Sequence, residues 1–237
     1  MKTGINPREL ATRWSRGWPQ PLRATLGPAG DWLDMMLVDH GVLREIYLNL
    51  HEVAPGLWRS AQPSPGAIRM LGQRGIKTIL NLRGARSCGA YFLEQRACAR
   101  AGITLIDMPF DSRGAPSAER VEGAAKVFGG IEYPALVHCK SGADRAGIVS
   151  ALYLILHENK SPSEARKQLS LKYGHVRHAR TGVLDHFIDA YEEDCARTGR
   201  SLIEWVKSSD YDALALTMHF RANVMASFLV DRVLGRE

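Results

Sequence analysis

Long apolar runs are absent from this sequence of 237 residues. No stretch reaches the roughly eighteen consecutive apolar residues that a membrane-spanning helix needs, so we expect none. The first residues also lack the basic, then apolar, then small-residue order of a secretory signal. We therefore expect a cytoplasmic protein.

Cysteine is scarce, with four residues at positions 88, 98, 139 and 195 and no C-x-x-C pair. This spacing argues against a disulfide scaffold and against a cysteine-rich zinc site. A reducing compartment fits such cysteines best. We expect neither a metal nor any other cofactor.

Acidic residues are fewer than basic ones, 25 against 31, which leaves a net charge of +6. That modest excess suits an anionic partner without identifying it. Hydrophobic residues at 45% and charged residues at 24% are ordinary globular values, which argues against disorder and fibrous rods. The length suits one sizeable core with helical extensions.

The first fifty residues differ from the rest of the chain. The first thirty are basic and contain interleaved Gly, Pro and Trp, as in a loose arm, and the apolar spacing over 32–50 predicts one or two short helices. We expect residues 1–50 to form an N-terminal arm and helical segment.

Strand and helix signals alternate from about residue 53 onward. A Pro-Gly turn separates two short extended pieces within 53–60, and Ser64 followed by Pro65 predicts a helix start. Further strands are predicted at 76–82, 103–106 and 135–138, and further helices at 90–101, 117–128 and 146–157. This alternation predicts an α/β domain over 51–180, with a central, mainly parallel sheet flanked by helices.

No strand pattern returns after residue 160. Ser161 and Glu164 form a capping box, and further helices are predicted at 181–196, 202–207 and 211–234. The last helix carries an apolar stripe that includes Leu214 and Met218. We expect residues 181–237 to form a C-terminal helical extension packed on the domain, the stripe serving as core or as a dimer face. Peripheral membrane contact is the alternative.

The most informative segment runs from Leu136 to Gly147. It places a cysteine at the end of a predicted strand, an arginine six residues later and then a predicted helix. With His138 before the cysteine and Gly142 three residues after it, the chance expectation falls to about 0.001 per chain. A short loop at a helix N-terminus can bind phosphate through backbone N–H groups, and the same dipoles stabilise a cysteine thiolate.

This segment resembles the phosphate-binding loop of the cysteine-based protein tyrosine phosphatase superfamily, H-C-x5-R. His138, Cys139, Gly142 and Arg145 match it position by position. A weaker likeness to the compact, dual-specificity-like bacterial branch extends over about 53–173. The resemblance implies a dual-specificity-phosphatase-like fold and metal-free hydrolysis through a phosphocysteine at Cys139.

The resemblance also assigns roles to individual residues. Arg145 binds the phosphoryl oxygens, His138 orients the loop, and Asp111 donates a proton to the leaving group, with Asp107 and Asp144 as alternatives. The expected substrate-binding residues are Lys140, Ser141, Gly142, Ala143 and Asp144. Ala146 departs from the family, which usually has Ser or Thr there, so we expect hydrolysis of the intermediate to be slow or to rely on another donor such as Ser141.

Two basic stretches have open roles. Arg83 and Arg86 are candidate substrate contacts, because they follow a strand of the expected parallel sheet. The residues from His175 to Arg180 either line the substrate mouth or form a solvated turn, and we favour the turn.

The expected function is a protein tyrosine or dual-specificity phosphatase acting on a phosphorylated protein. A phosphatase of the same mechanism for a phosphorylated lipid or small molecule is the alternative, as is a non-catalytic phosphate-binding module. We expect no nucleic-acid partner.

Overall fold

The structure is a computed structural model that describes residues 30–32 and 47–222. The chain divides into two compact units, one of Met1–Pro109 with Glu132–Ser141 and one of Phe110–Ile131 with Gly142–Glu237. Most of the expected N-terminal arm lies outside the described residues.

The first unit contains a five-stranded sheet in the order β1-β2-β5-β3-β4. The strands are β1 (His51–Ala54), β2 (Leu57–Ala61), β3 (Thr78–Asn81), β4 (Thr104–Asp107) and β5 (Ala135–Cys139). β1 pairs with β2 in antiparallel fashion, and the other three pairings are parallel. The mainly parallel sheet expected from the sequence is confirmed.

The central strand β5 positions the candidate nucleophile. It is buried along its whole length between β2 and β3. Its last residue, Cys139, pairs with Ala61, and His138 lies beside Asn81 at the end of β3. Because these strands are parallel, their carboxyl ends share one edge of the sheet, where sites of α/β proteins gather.

Within its described residues, the same unit contains the helices α1 (Pro65–Gln73) and α2 (Gly89–Ala101) and a helical stretch at 30–32. As expected, Ser64 caps α1, accepting a hydrogen bond from the Ala67 backbone N–H, with Pro65 in its first turn. Buried residues of both helices and of the strands form one apolar cluster: Ile68, Leu71, Ile76, Ile79, Cys98, Ile103 and Leu136. This cluster fixes α1 and α2 against the sheet.

The second unit is helical in its described residues. Its helices are α3 (Ala118–Gly130), α4 (Asp144–Leu156), α5 (Pro162–Arg166), α6 (Val183–Thr198), α7 (Leu202–Lys207) and α8 (residues 213–222), with short 3₁₀ turns at Leu171–Tyr173 and Arg180–Gly182. From Ala146 to Ile155, α4 is buried throughout, which explains its apolar sequence. The ring of Phe128 meets that of Tyr153 edge to face at 5.3 Å, so α3 packs against α4.

The apolar stripe of α8 does not form the expected core at its described positions. Leu214 is 68% exposed and Met218 is 60% exposed. α8 instead packs through Thr217, whose hydroxyl oxygen accepts a hydrogen bond from the Ala115 backbone N–H at 2.9 Å. Residues of the stripe beyond 222 lie outside the described residues.

Candidate active site

The segment singled out from the sequence follows the strand, loop and helix order expected. β5 ends at Cys139, which is 2% exposed, and α4 begins at Asp144, so Arg145 lies in its first turn. Gly142 has φ 76°, in the left-handed region that favours glycine. The loop therefore needs glycine at the position where the motif has it.

A buried polar network lies behind Cys139 in the first unit. His138 and Glu94 are both fully buried, and His138 Nε2 lies 2.5 Å from Glu94 Oε1, although not in the alignment of a conventional hydrogen bond. The other oxygen, Oε2, accepts a hydrogen bond from Gln62 Nε2 at 2.7 Å, and Gln62 Oε1 accepts one from Arg83. These contacts fix the residue before the cysteine from α2 and from the end of β2.

The loop after Cys139 is also anchored within the first unit. The Asn49 side-chain amide donates a hydrogen bond to the Ser141 carbonyl oxygen at 3.0 Å, and the Gln62 backbone N–H donates one to the Lys140 carbonyl oxygen at 3.5 Å. Asn49 is buried and has φ 51°. Asn49, Gln62 and Glu94 were not predicted from the sequence.

In the second unit, Asp144 contacts a buried histidine. His175 Nδ1 lies 2.7 Å from Asp144 Oδ1, and His175 Nε2 lies 2.7 Å from Asp185 Oδ2 on α6. Both ring nitrogens must donate, because carboxylates accept, and only the imidazolium form has two donors. Burial disfavours this charged form, but the hydrogen bonds to Asp144 and Asp185 outweigh it and raise the pKa of His175 to about 9.

The position of His175 corrects the interpretation of 175–180 as a solvated turn. Arg177, His178 and Arg180 are exposed, as that interpretation predicts, but His175 is only 1% exposed. The interpretation is wrong for His175, because two carboxylates compensate its charge in the interior.

Asp107, at the end of β4, is occupied in the first unit. Its Oδ1 accepts a hydrogen bond from Asn81 Nδ2 at 2.7 Å, and its Oδ2 accepts one from the Tyr91 hydroxyl at 2.5 Å. Burial and the nearby carboxylate raise the pKa of Tyr91 to about 12, so its hydroxyl keeps its proton as donor. Asp107 thus ties the end of β4 to β3 and α2.

Asp111 lies in the segment between β4 and α3 and is exposed to solvent. Arg83 is 8% exposed and bound to Gln62, whereas Arg86 is exposed and donates from Nε to the Arg83 carbonyl oxygen. From the sequence, Arg83 is a candidate substrate contact. In the structure, it belongs instead to the buried network behind Cys139.

The described residues hold no group of three or more His, Cys, Asp or Glu side chains arranged for a metal ion. Nor does any helix among them have the length and apolar character of a membrane span.

Comparison with known proteins identifies the family. The family described as "DSP-PTPase phosphatase fused to NAD+ Kinase" (PTP-NADK) matches residues 45–182, more than half of the chain. The chain belongs to the PTP-NADK family. The resemblance to cysteine-based phosphatases, found in the sequence, is thereby confirmed.

Individual relatives are more distant. The dual specificity protein phosphatase TpbA of Pseudomonas aeruginosa is 24% identical over 172 residues, which cover 72% of this PTP-NADK chain and 67% of TpbA. The chloroplastic NAD kinase 2 of Arabidopsis thaliana is 30% identical over 101 residues, covering 41% of this chain and 10% of that protein. The crystal structure of P. aeruginosa TpbA aligns with a TM-score of 0.46 at 20% identity, over 63% of this chain and 91% of TpbA.

Membership in the PTP-NADK family defines the chemistry at a coarse level. The chain is a cysteine-dependent phosphatase with a dual-specificity-phosphatase-like fold, and the family does not favour a non-catalytic module.

Proposed function

We propose that the protein hydrolyses phosphate monoesters through a phosphocysteine formed on Cys139. The sulfur attacks phosphorus, the bond to the ester oxygen breaks, and Arg145 with the loop N–H groups binds the charge on the phosphoryl oxygens. Water then attacks phosphorus, the S–P bond breaks, and inorganic phosphate leaves. The observation that carries the proposal is that residues 138–145, which lie within the family match, run from the end of β5 into the first turn of α4.

We assign the proton transfers to Asp111. Its carboxylic acid donates a proton to the leaving oxygen, and the resulting carboxylate accepts a proton from the attacking water. Its exposure supports this role. Asp107 and Asp144 already accept hydrogen bonds from Asn81, Tyr91 and His175, so their carboxylates are engaged within the fold.

The proposed substrate-binding residues are those of the loop: Lys140, Ser141, Gly142, Ala143 and Asp144. His138 orients the loop rather than contacting substrate, a role supported by its complete burial and its contact with Glu94.

A phosphorylated protein is the proposed substrate, supported by similarity to TpbA, which is named a dual specificity protein phosphatase. The second candidate is a lipid phosphate at a membrane surface. The exposed Leu214 and Met218 on α8 favour it, because apolar side chains on one helix face suit peripheral membrane contact. Hydrolysis of phosphopeptides in preference to phosphoinositides in vesicles supports the first candidate, and the opposite order supports the second.

The proposed catalytic domain is 51–180, with 1–50 and 181–237 as extensions. The family match to 45–182 supports this division. The proposed compartment is the cytoplasm, supported by four cysteines that form no disulfide.

Hydrolysis of p-nitrophenyl phosphate in the presence of EDTA tests the proposal. We expect phenolate release that vanadate blocks and that Cys139→Ser abolishes. Turnover that survives Cys139→Ser would contradict the nucleophile assignment.

The acid is tested by comparing leaving groups. Asp111→Asn removes protonation of the leaving oxygen, so kcat/KM, which reports formation of the phosphoenzyme, falls by about 10² to 10⁴ for a phosphotyrosine peptide and falls less for p-nitrophenyl phosphate, whose leaving group is more acidic. The control is Asp210→Asn, an exposed aspartate in the same unit. Equal losses for both substrates would argue against Asp111 as the acid.

A further inference from the structure

The contact between Asp144 and His175 joins two parts of the chain 31 residues apart. Asp144 is the first residue of α4, and His175 follows a 3₁₀ turn at Leu171–Tyr173. On its other side, His175 reaches Asp185, in the first turn of α6. One buried imidazolium thus ties the start of α4 to the start of α6.

Backbone packing brings the two segments together independently of these hydrogen bonds. Gly174 ends the 3₁₀ turn with φ 82°, and a Cβ at this position would lie 3.8 Å from the Ala143 Cβ. The His175 backbone N–H donates to the Ser170 carbonyl oxygen at 3.1 Å. The backbone just before His175 therefore approaches Ala143, the loop residue that precedes α4, to within the reach of one added methyl group.

The charges around His175 show what the contact does for the loop. Asp144 is 27% exposed and directly precedes Arg145. Without a cationic partner, this carboxylate would compete for the Arg145 guanidinium and repel a phosphate dianion nearby. The hydrogen bond to the imidazolium holds the carboxylate on the His175 side and compensates its charge.

Other charged groups lie farther out. Arg166 on α5, together with Lys167, Arg177 and His178, lines a cavity of about 420 Å³ that His175 and Asp185 also line. Arg166 and Arg177 are both paired with Asp189, at 2.5 and 2.6 Å. Asp144 and Asp185 remain the carboxylates in direct contact with His175.

We propose that His175 is a positioning residue, which clamps Asp144 against Asp185 and so holds the first turn of α4 ready to bind phosphate through Arg145. This proposal rests on the proposed function of the loop. It also makes Asp144 an anchor of the loop in place of a proton donor.

Phosphate binding without turnover tests the clamp. In a Cys139→Ser background, the Kd of inorganic phosphate is measured by calorimetry with and without His175→Gln, which removes the charge but keeps an amide. We expect the added substitution to raise Kd at pH 7.5 about tenfold. His219→Gln, the same change at an exposed histidine of the same unit, should leave Kd within about twofold.

The pH dependence tests whether the charge of His175 is what matters. Between pH 7.5 and 10 the parent loses its imidazolium, so the tenfold difference should disappear, and a difference in Kd that persists at pH 10 would contradict the proposal. Asp185→Asn alters only the side of the His175 ring that faces away from Asp144, and it should also raise Kd. Thermal unfolding confirms that each variant is folded. If His175→Gln misfolds, Asp185→Asn alone decides the matter.

The outcomes distinguish the positioning role of His175 from the proposed function on which it rests. An unchanged Kd in folded variants, with wild-type turnover present, overturns the positioning role alone. Absence of both phosphate binding and turnover in the parent proteins overturns the proposed function and the clamp together.

Discussion

Substituting Glu94 by glutamine should destabilise the fold behind the candidate nucleophile. Glu94 is 1% exposed. Its Oε2 accepts a hydrogen bond from Gln62, and its Oε1 lies 2.5 Å from His138 Nε2. Glutamine has nearly the same volume but only one acceptor oxygen, so its NH2 group must face either the buried Gln62 amide or the buried His138 ring. A buried donor left without an acceptor costs about 1–3 kcal/mol, and we expect the free energy of unfolding to fall by that amount.

Urea denaturation measures this change as a shift of the midpoint at an unchanged slope. The matched control is Glu52→Gln, at an exposed glutamate of the same unit, which should change the free energy by less than about 0.5 kcal/mol. We also expect Glu94→Gln to lower kcat, because His138 fixes the backbone of Cys139. Equal stability of Glu94→Gln and Glu52→Gln would refute the reasoning, since the buried contacts would then contribute nothing.

Three further changes follow from the structure. The pKa of His175 is raised from 6.5 to about 9, which corresponds to about 3 kcal/mol of stability. This contribution is fully present below pH 6.5 and is lost as the pH rises through 9. The stability advantage of wild type over His175→Gln in urea should therefore shrink by that amount, and a pH-independent difference would contradict the linkage. Gly182→Ala should lower the melting temperature severely, because its Cβ would lie 1.8 Å from the Arg177 carbonyl oxygen. A Cβ at Gly123 within α3 meets nothing within 4 Å, so Gly123→Ala should stabilise the protein by about 0.5–1 kcal/mol. Similar melting temperatures for the two variants would contradict this contrast. Ala146→Ser supplies the hydroxyl that the resemblance to protein tyrosine phosphatases leads us to expect after the loop arginine, so single-turnover kinetics should show faster decay of the phosphoenzyme, and an unchanged decay rate would count against a role for this position.

Local signals explain why much of the fold could be predicted. Ser64, Ser161 and Ser201 each cap a helix, the last two in capping boxes, and such caps involve residues only three apart. The run from Thr78 to Asn81 is buried on both faces, which is what a continuous apolar strand in a parallel sheet predicts. The bounds of these elements depend on neighbouring residues, and so they can be read from the sequence.

The supporting residues of the site depend on distant pairs instead. Glu94 and His138 lie on different elements, as do Asp144 and His175, and no local spacing joins them. A usable signal existed for Glu94, because it falls on the apolar face of α2 with Tyr91 and Cys98, where a glutamate requires a partner. His175 was masked by the exposed basic residues that follow it, and Asn49 carried no signal.

Rapid quenching of a single turnover tests the central claim most directly. Wild-type enzyme mixed with a ³²P-labelled phosphomonoester in EDTA should acquire up to one phosphate per chain before free phosphate accumulates. Mass spectrometry should then find that phosphate on the sulfur of Cys139, and Cys139→Ser should acquire none. Label on another residue would contradict the account. So would turnover without labelled protein in both the wild-type and the Ala146→Ser enzyme, if Cys139→Ser also remained active.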